Sequence, residues 1–280
     1  MNFITVGKEN STSINLYYED HGSGKPVVLI HGWPLSGRSW EKQVPALLEA
    51  GYRVITYDRR GFGDSSKPTK GYDCDTLAED LNKLITALDL KDAAIAGFSM
   101  GGCEVARYLG KYGSERVKKA VFLGAVPPFL LKTADNPGGV DGSVFEGIKK
   151  GLRADRVGFL AAFFENFYNL DVLKGKRISA ELVQHSWMVA AGASPIGTVD
   201  CVSTWLTDLR KDLASITIPV LVIHGDSDRT VPFEISGKLT HAMVKGSSLA
   251  LIKGAPHGFI STHAEETNRE LISFLKRLNS

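Results

Sequence analysis

Gly97-Phe98-Ser99-Met100-Gly101 is the stretch of this chain that says most about its fold. It follows a short apolar run at residues 92–96 and precedes a segment with helical character at residues 102–109. A serine on a sharp turn between a strand and a helix is held in a strained conformation, with its hydroxyl exposed above the sheet. Glycines two residues before and after it avoid collisions where the two backbones nearly touch. The pattern predicts a nucleophilic Ser99.

Composition places the chain among ordinary globular proteins. It has 280 residues, of which 43% are hydrophobic and 23% charged, with a formal net charge of +2. The scattered lysines and arginines give no electrostatic footprint for nucleic acid or an anionic membrane. No apolar run is long enough to span a bilayer. Because the first residues lack the pattern of a secretory signal, we expect a cytoplasmic protein.

Strand and helix patterns alternate along most of the chain, which predicts a mostly parallel sheet covered on both faces. A capping-box pattern at Thr76–Glu79 predicts the start of one helix. Three widely spaced cysteines form neither a disulfide framework nor a metal cluster, so we expect no metal. The predicted strands cover residues 14–19, 26–30, 52–57, 92–96, 119–123, 219–223 and 248–252, and further helices cover 39–50, 234–243 and 264–278.

The alternation stops after Val126. Residues 127–213 show helical pieces, clustered aromatic residues and no strand. We therefore expect a helical insert at 127–213, which we call the cap, between core segments 1–126 and 214–280. Ligands of such folds bind beyond the carboxyl ends of the strands, and the cap would cover that edge.

A serine nucleophile needs a histidine base that is held by a carboxylate. His257 follows the last predicted strand and therefore lies at the same edge of the sheet as Ser99. Two aspartates, Asp226 and Asp228, follow the preceding strand. Asp226 beside a glycine suits a turn, whereas Asp228 lies further into the loop, so we favour Asp228 as the acid. The chain order Ser, Asp, His is that of α/β-hydrolases.

The tetrahedral intermediate of acyl transfer carries an oxyanion that needs two hydrogen-bond donors. The N–H of Met100, next to the nucleophile, supplies one. The N–H of Trp33, in the loop after the strand at 26–30, is expected to supply the other. Pro34 has no N–H, so only its carbonyl can contact a ligand through the backbone.

The chain resembles the cofactor-free haloperoxidases, a group of α/β-hydrolases that includes perhydrolase-esterases. The resemblance lies in the segments 22–26, 31–37, 57–63, 97–102, 226–228 and 255–258. It implies an α/β-hydrolase fold with an eight-stranded, mostly parallel sheet, no cofactor, and assembly into trimers or hexamers.

The resemblance also implies a reaction. Ser99 would be acylated by a small ester or carboxylic acid, and hydrogen peroxide would release a peracid that oxidises halide. Pro34 occupies a position that the family associates with peroxide use. The acyl pocket is expected to be small and apolar, formed by Trp33, Phe98, Val126, Phe163, Phe167, Val231 and Phe233. Pro34 is expected to bind substrate through its carbonyl.

Two alternatives remain open. The same serine could use water, as a carboxylesterase or γ-lactamase. A ligand-binding receptor on the same fold could also keep an intact triad.

Overall fold

The computed structural model describes residues 2–277. Its strands are β1 (Asn2–Glu9), β2 (Thr12–His21), β3 (Pro26–Ile30), β4 (Arg53–Tyr57), β5 (Ala93–Phe98), β6 (Val117–Leu123), β7 (Val220–Gly225) and β8 (Ser248–Ile252). The helices are α1 (Gln43–Glu49), α2 (Cys74–Ala87), α3 (Gly101–Tyr112), α4 (Gly142–Ala154), α5 (Arg156–Phe167), α6 (Leu170–Leu173), α7 (Ala180–Ala191), α8 (Pro195–Thr204), α9 (Arg210–Ala214), α10 (Gly237–Met243), α11 (Phe259–Thr262) and α12 (Ala264–Lys276).

The strands form one eight-stranded sheet in the order β1-β2-β4-β3-β5-β6-β7-β8. Only the pairings of β1 with β2 and of β2 with β4 are antiparallel. Strands β3, β5 and β7 are buried along their whole length. Continuous burial is expected where helices cover both faces of a parallel sheet. The predicted architecture is confirmed.

Several predicted boundaries differ from those observed. The helix expected over 39–50 is divided into a 3₁₀ turn, Gly37–Trp40, and the separate helix α1. The capping-box prediction is wrong, because α2 begins earlier and its N-cap is Asp73, whose carboxylate accepts a hydrogen bond from the N–H of Thr76. A carboxylate both caps the free N–H groups and complements the helix dipole. The last helix was predicted to reach Leu278, which lies outside the described residues.

The helices α4 to α8 lie between β6 and β7, within the segment 127–213 that was predicted to be helical. Helix α9 lies at the end of that insert but packs against α3 of the core. An ion pair of 3.2 Å between Arg107 and Asp212 joins α3 to α9. The division of the chain into core and cap domains stays a prediction. Among the helices of residues 2–277, none is long and apolar enough to cross a membrane.

The turn at Ser99 is strained and tightly packed. Ser99 has φ of 54°, in the left-handed region. A Cβ atom on Gly97 would lie 2.4 Å from the carbonyl oxygen of Gly101, and one on Gly101 would lie 2.5 Å from that of Ile30. Backbone atoms cannot move aside as a flexible side chain can. Both glycines are therefore required by the close approach of β3, β5 and α3.

We expect Gly97→Ala to lower the free energy of unfolding by about 1–3 kcal/mol, since overpacking against backbone costs that much. Urea denaturation measures the change. Gly147→Ala is the control, because Gly147 lies within α4 and a Cβ there would meet nothing within 4 Å. This control should gain about 0.5–1 kcal/mol from helix propensity. Equal stabilities for both variants would contradict the packing described for the turn.

Candidate active site

Three loops at the carboxyl ends of the strands carry the predicted triad. Ser99 follows β5, Asp228 follows β7, and His257 follows β8. Strand β6 lies between β5 and β7, and it ends at Leu123, directly before Gly124. A Cβ on Gly124 would lie 3.0 Å from Phe259 Cε1 and at an ordinary contact distance of 3.6 Å from His257 Nδ1. Gly124, which the sequence reading missed, is favoured here by that close contact and by its left-handed φ of 51°.

The structure brings the three predicted residues into one hydrogen-bonded chain. His257 Nε2 lies 2.8 Å from Ser99 Oγ, and His257 Nδ1 lies 2.7 Å from Asp228 Oδ2. All three residues are buried, with exposed fractions of 6% for Ser99, 1% for His257 and 7% for Asp228. Asp226, the competing acid, accepts hydrogen bonds from the N–H of Gly254 and the Ser227 hydroxyl, as a turn residue does.

The Asp228 carboxylate is held at both oxygens. Its Oδ1 accepts the N–H groups of Thr230 at 2.9 Å and Val231 at 2.8 Å. Its Oδ2 faces His257 and also lies 3.4 Å from His224 Nε2, which donates to the carbonyl of Val231. Burial alone would raise the pKa of Asp228, but its electrostatic attraction to His257 and the hydrogen bonds from His224 and His257 outweigh burial and lower it. The carboxylate therefore stays ionised beside His257.

Two residues predicted for the substrate pocket pack against His257 instead. The Phe98 ring lies 5.2 Å from the imidazole, centroid to centroid. The Phe167 ring lies 5.1 Å from it in an edge-to-face arrangement. These contacts fix the plane of the imidazole, so their role is to orient His257.

The two predicted oxyanion donors are free. Within residues 2–277, the backbone N–H groups of Trp33 and Met100 donate to no protein acceptor. The Trp33 indole N–H donates to the carbonyl of Thr198 in α8, which attaches this loop to the cap. His31 Nδ1 donates to the Gly32 carbonyl, and its Nε2 accepts the N–H of Arg59. Burial, with the nearby Arg59 charge, lowers the pKa of His31 well below its usual value, so the imidazole is neutral.

A buried ion pair that the sequence reading missed joins the two halves of the oxyanion site. The Arg59 guanidinium donates to the Glu104 carboxylate and, at 2.7 Å, to the carbonyl of His31. Glu104 belongs to α3, whose first turn follows Met100, whereas His31 begins the loop of Trp33. Tyr57 adds a hydrogen bond of 2.9 Å to Glu104. The sequence feature that could have indicated this ion pair is Glu104, a charged residue on the buried face of the helix after Ser99.

An apolar cavity of about 150 Å³ opens beside Ser99. Of the predicted pocket residues, Trp33, Val126, Phe163 and Val231 lie on its wall. The remaining wall is formed by Leu130, Val140, Val144, Phe145, Ile148, Phe159, Trp205, Thr230, Pro232 and Ile235.

Four predicted substrate-binding residues do not line this cavity. Phe98 and Phe167 lie against the imidazole, as described above. Phe233 packs its ring 5.6 Å from the ring of His224. Pro34 is buried in the loop after β3 and is absent from the wall. Whether a residue lines the cavity depends on the direction of its side chain, and sequence spacing alone does not predict that direction.

Comparison with known proteins agrees with this arrangement. A family model described as the alpha/beta hydrolase fold matches residues 25–264. A putative non-heme chloroperoxidase of Synechocystis sp. is 59% identical over 99% of this chain and 100% of that protein. A bifunctional esterase/perhydrolase of Acinetobacter calcoaceticus is 36% identical, again over 99% and 100%. The crystal structure of a bromoperoxidase from Bacillus anthracis superposes with a TM-score of 0.95 at 54% identity, covering 99% of both chains.

Both the sequence relatives and the solved structure extend over almost the whole chain, and the family model spans most of it. The chain therefore belongs to the α/β-hydrolase family, in its group of non-heme haloperoxidase and perhydrolase-esterase enzymes.

Proposed function

We propose that this enzyme is a serine perhydrolase that forms peracids from carboxylic acids or esters, and that the peracids oxidise halide. The observation that carries the proposal is the hydrogen-bonded chain of Ser99, His257 and Asp228 beside an apolar cavity. The names of relatives, which include non-heme chloroperoxidases and an esterase/perhydrolase, support the same activity.

Acylation follows from the geometry. Ser99 Oγ attacks the carbonyl carbon while His257 Nε2 takes its proton, and Asp228 stabilises the resulting imidazolium. The N–H groups of Trp33 and Met100 bind the oxyanion of the tetrahedral intermediate. When the intermediate collapses, His257 returns the proton to the leaving group. The leaving group is an alcohol from an ester and water from a carboxylic acid.

Deacylation repeats the same steps with hydrogen peroxide. His257 takes a proton from one oxygen of hydrogen peroxide as that same oxygen attacks the acyl carbon, and the proton then returns to Ser99 Oγ as the peracid leaves. In solution, the peracid transfers one oxygen to halide, which yields hypohalous acid and the carboxylate. The oxidising equivalents come from hydrogen peroxide, so the residues of the chain perform acyl transfer only.

Water competes with peroxide for the acyl-enzyme, so ester hydrolysis is the accompanying activity. The apolar cavity favours perhydrolysis because it limits the access of water to the acyl-enzyme. The Pro34 carbonyl is the group proposed to orient peroxide, as the resemblance implies. A γ-lactam could replace the ester in acylation without any change of catalytic group.

Further proposals rest on the resemblance and on composition rather than on geometry. We propose small-molecule substrates, a cytoplasmic location and a homo-oligomer of three or six chains. The near-neutral charge gives no reason to expect a nucleic acid or membrane partner.

Ser99→Ala tests the nucleophile. With acetate or hexanoate as the acid, hydrogen peroxide and bromide, the wild-type enzyme should brominate monochlorodimedone, and the variant should lose activity by at least about 10³-fold, as removal of a triad nucleophile does. Bromination by the variant at the wild-type rate would contradict the proposal. Ser99-dependent hydrolysis of p-nitrophenyl acetate without any bromination would identify a carboxylesterase. A single burst of p-nitrophenol without steady turnover would favour a receptor.

Glu104→Gln tests the ion pair beneath the oxyanion site. The neutral amide leaves Arg59 without its charge partner, so the two donor N–H groups lose their fixed separation. Because those donors act mainly in the transition state, we expect kcat to fall about tenfold or more with little change in KM. Glu79→Gln is the matched control, since Glu79 pairs with Lys83 on the exposed side of α2. A loss of kcat that merely follows the unfolded fraction, measured by urea denaturation, would contradict this role.

A further inference from the structure

The cavity beside Ser99 is lined mainly by apolar side chains. Its wall holds no charged side chain among the described residues, and the polar groups of its side chains are the hydroxyls of Ser99 and Thr230 and the indole N–H groups of Trp33 and Trp205. A carboxylate or ammonium group placed in such a cavity loses its hydration without gaining an ion pair. The acyl group that fits is therefore neutral and apolar to its far end.

The cavity is also larger than the small pocket that the sequence predicted. Its volume of about 150 Å³ equals that of an engineered apolar cavity that takes up benzene. An acetyl group would leave most of this volume empty, so its binding would bury little apolar surface. A chain of six carbons or a single aromatic ring would fill the cavity.

We expect the acyl group of a substrate, rather than its alcohol group, to bind in this cavity. The acyl group stays bonded to Ser99 Oγ while peroxide enters, and a carboxylic acid substrate has no alcohol half. An acyl group that fills the cavity leaves no room for water next to the ester carbonyl. The residues of α4 and α5 on the wall, which include Val144, Ile148 and Phe159, extend the cavity from Ser99 towards the cap.

We propose that the preferred acyl donors are neutral apolar carboxylic acids, or their esters, of about six carbons or one aromatic ring, with acetyl groups as poor substrates. This inference rests on the proposed function. It also assigns Val144 as a specificity-determining residue, because Val144 lies on the cavity wall at a position that is 49% exposed. A large side chain there would shorten the cavity from the cap side without disturbing the core.

The first experiment measures kcat/KM for p-nitrophenyl acetate, butyrate, hexanoate and phenylacetate with the wild-type enzyme. Each added methylene that becomes buried contributes about 0.8 kcal/mol, or about fourfold. We therefore expect hexanoate to exceed acetate by at least about tenfold, and phenylacetate to resemble hexanoate. Mono-p-nitrophenyl adipate has the same six carbons with a terminal carboxylate, and it should react at least about tenfold more slowly than hexanoate because that charge would lose its hydration.

The second experiment compares Val144→Trp with Val157→Trp. Both valines lie on exposed positions of neighbouring cap helices, with exposed fractions of 49% and 40%, but only Val144 lines the cavity. Val144→Trp should lower the ratio of kcat/KM for hexanoate to kcat/KM for acetate by tenfold or more. Val157→Trp should leave that ratio unchanged.

The outcomes separate this inference from the proposed function. Faster reaction of acetate than hexanoate, or equal effects of the two tryptophan variants, would overturn the assignment of the acyl group while Ser99-dependent turnover still supports a serine enzyme. Rapid reaction of the adipate ester would overturn the requirement for a neutral acyl group. No Ser99-dependent turnover with any ester or acid would overturn the proposed function itself.

Discussion

The hydrogen bond between His257 Nε2 and Ser99 Oγ is the interaction on which the proposed chemistry depends. It joins residues that are 158 positions apart in sequence. The parallel sheet makes it possible, because the carboxyl ends of β5, β7 and β8 lie at one edge. At that edge, the left-handed backbone of Ser99 directs its hydroxyl away from the sheet and towards the imidazole. Such strained residues persist only where the surrounding packing holds them, and here β3, β5 and α3 do so.

The second constraint is electrostatic and lies beneath the site. Arg59 and Glu104 are both buried, with 1% of each residue exposed. Burial alone would lower the pKa of Arg59, but the Glu104 carboxylate outweighs burial and raises it, so the guanidinium stays charged. An isolated pair of this kind costs desolvation energy that its attraction barely offsets. Its additional hydrogen bond to the carbonyl of His31 gives the pair a positioning function, because it fixes the loop of Trp33 relative to α3.

The features that depend on the order of strands and loops along the chain could be predicted from the sequence. Ser99, Asp228 and His257 each follow a strand, and parallel strands deliver their following loops to one edge, so their proximity followed from order alone. The directions in which side chains point could not be predicted in the same way. Phe98 faces the imidazole rather than the cavity, because it is the last residue of β5 and its side chain points to the side where His257 packs. The ion pair of Arg59 and Glu104 could not be predicted, because it is a tertiary contact between residues that no local sequence pattern relates.

Labelling with a fluorophosphonate measures whether His257 and Asp228 activate Ser99, because this reagent phosphonylates a serine only when a neighbouring base has activated it. The measurement is the mass of the intact protein followed by peptide mapping, for the wild-type enzyme and for Asp228→Asn. We expect one adduct per chain on the peptide that contains Ser99, with labelling of Asp228→Asn slower by orders of magnitude. An adduct on another residue, or equally fast labelling of Asp228→Asn, would contradict the claim that His257 and Asp228 activate Ser99.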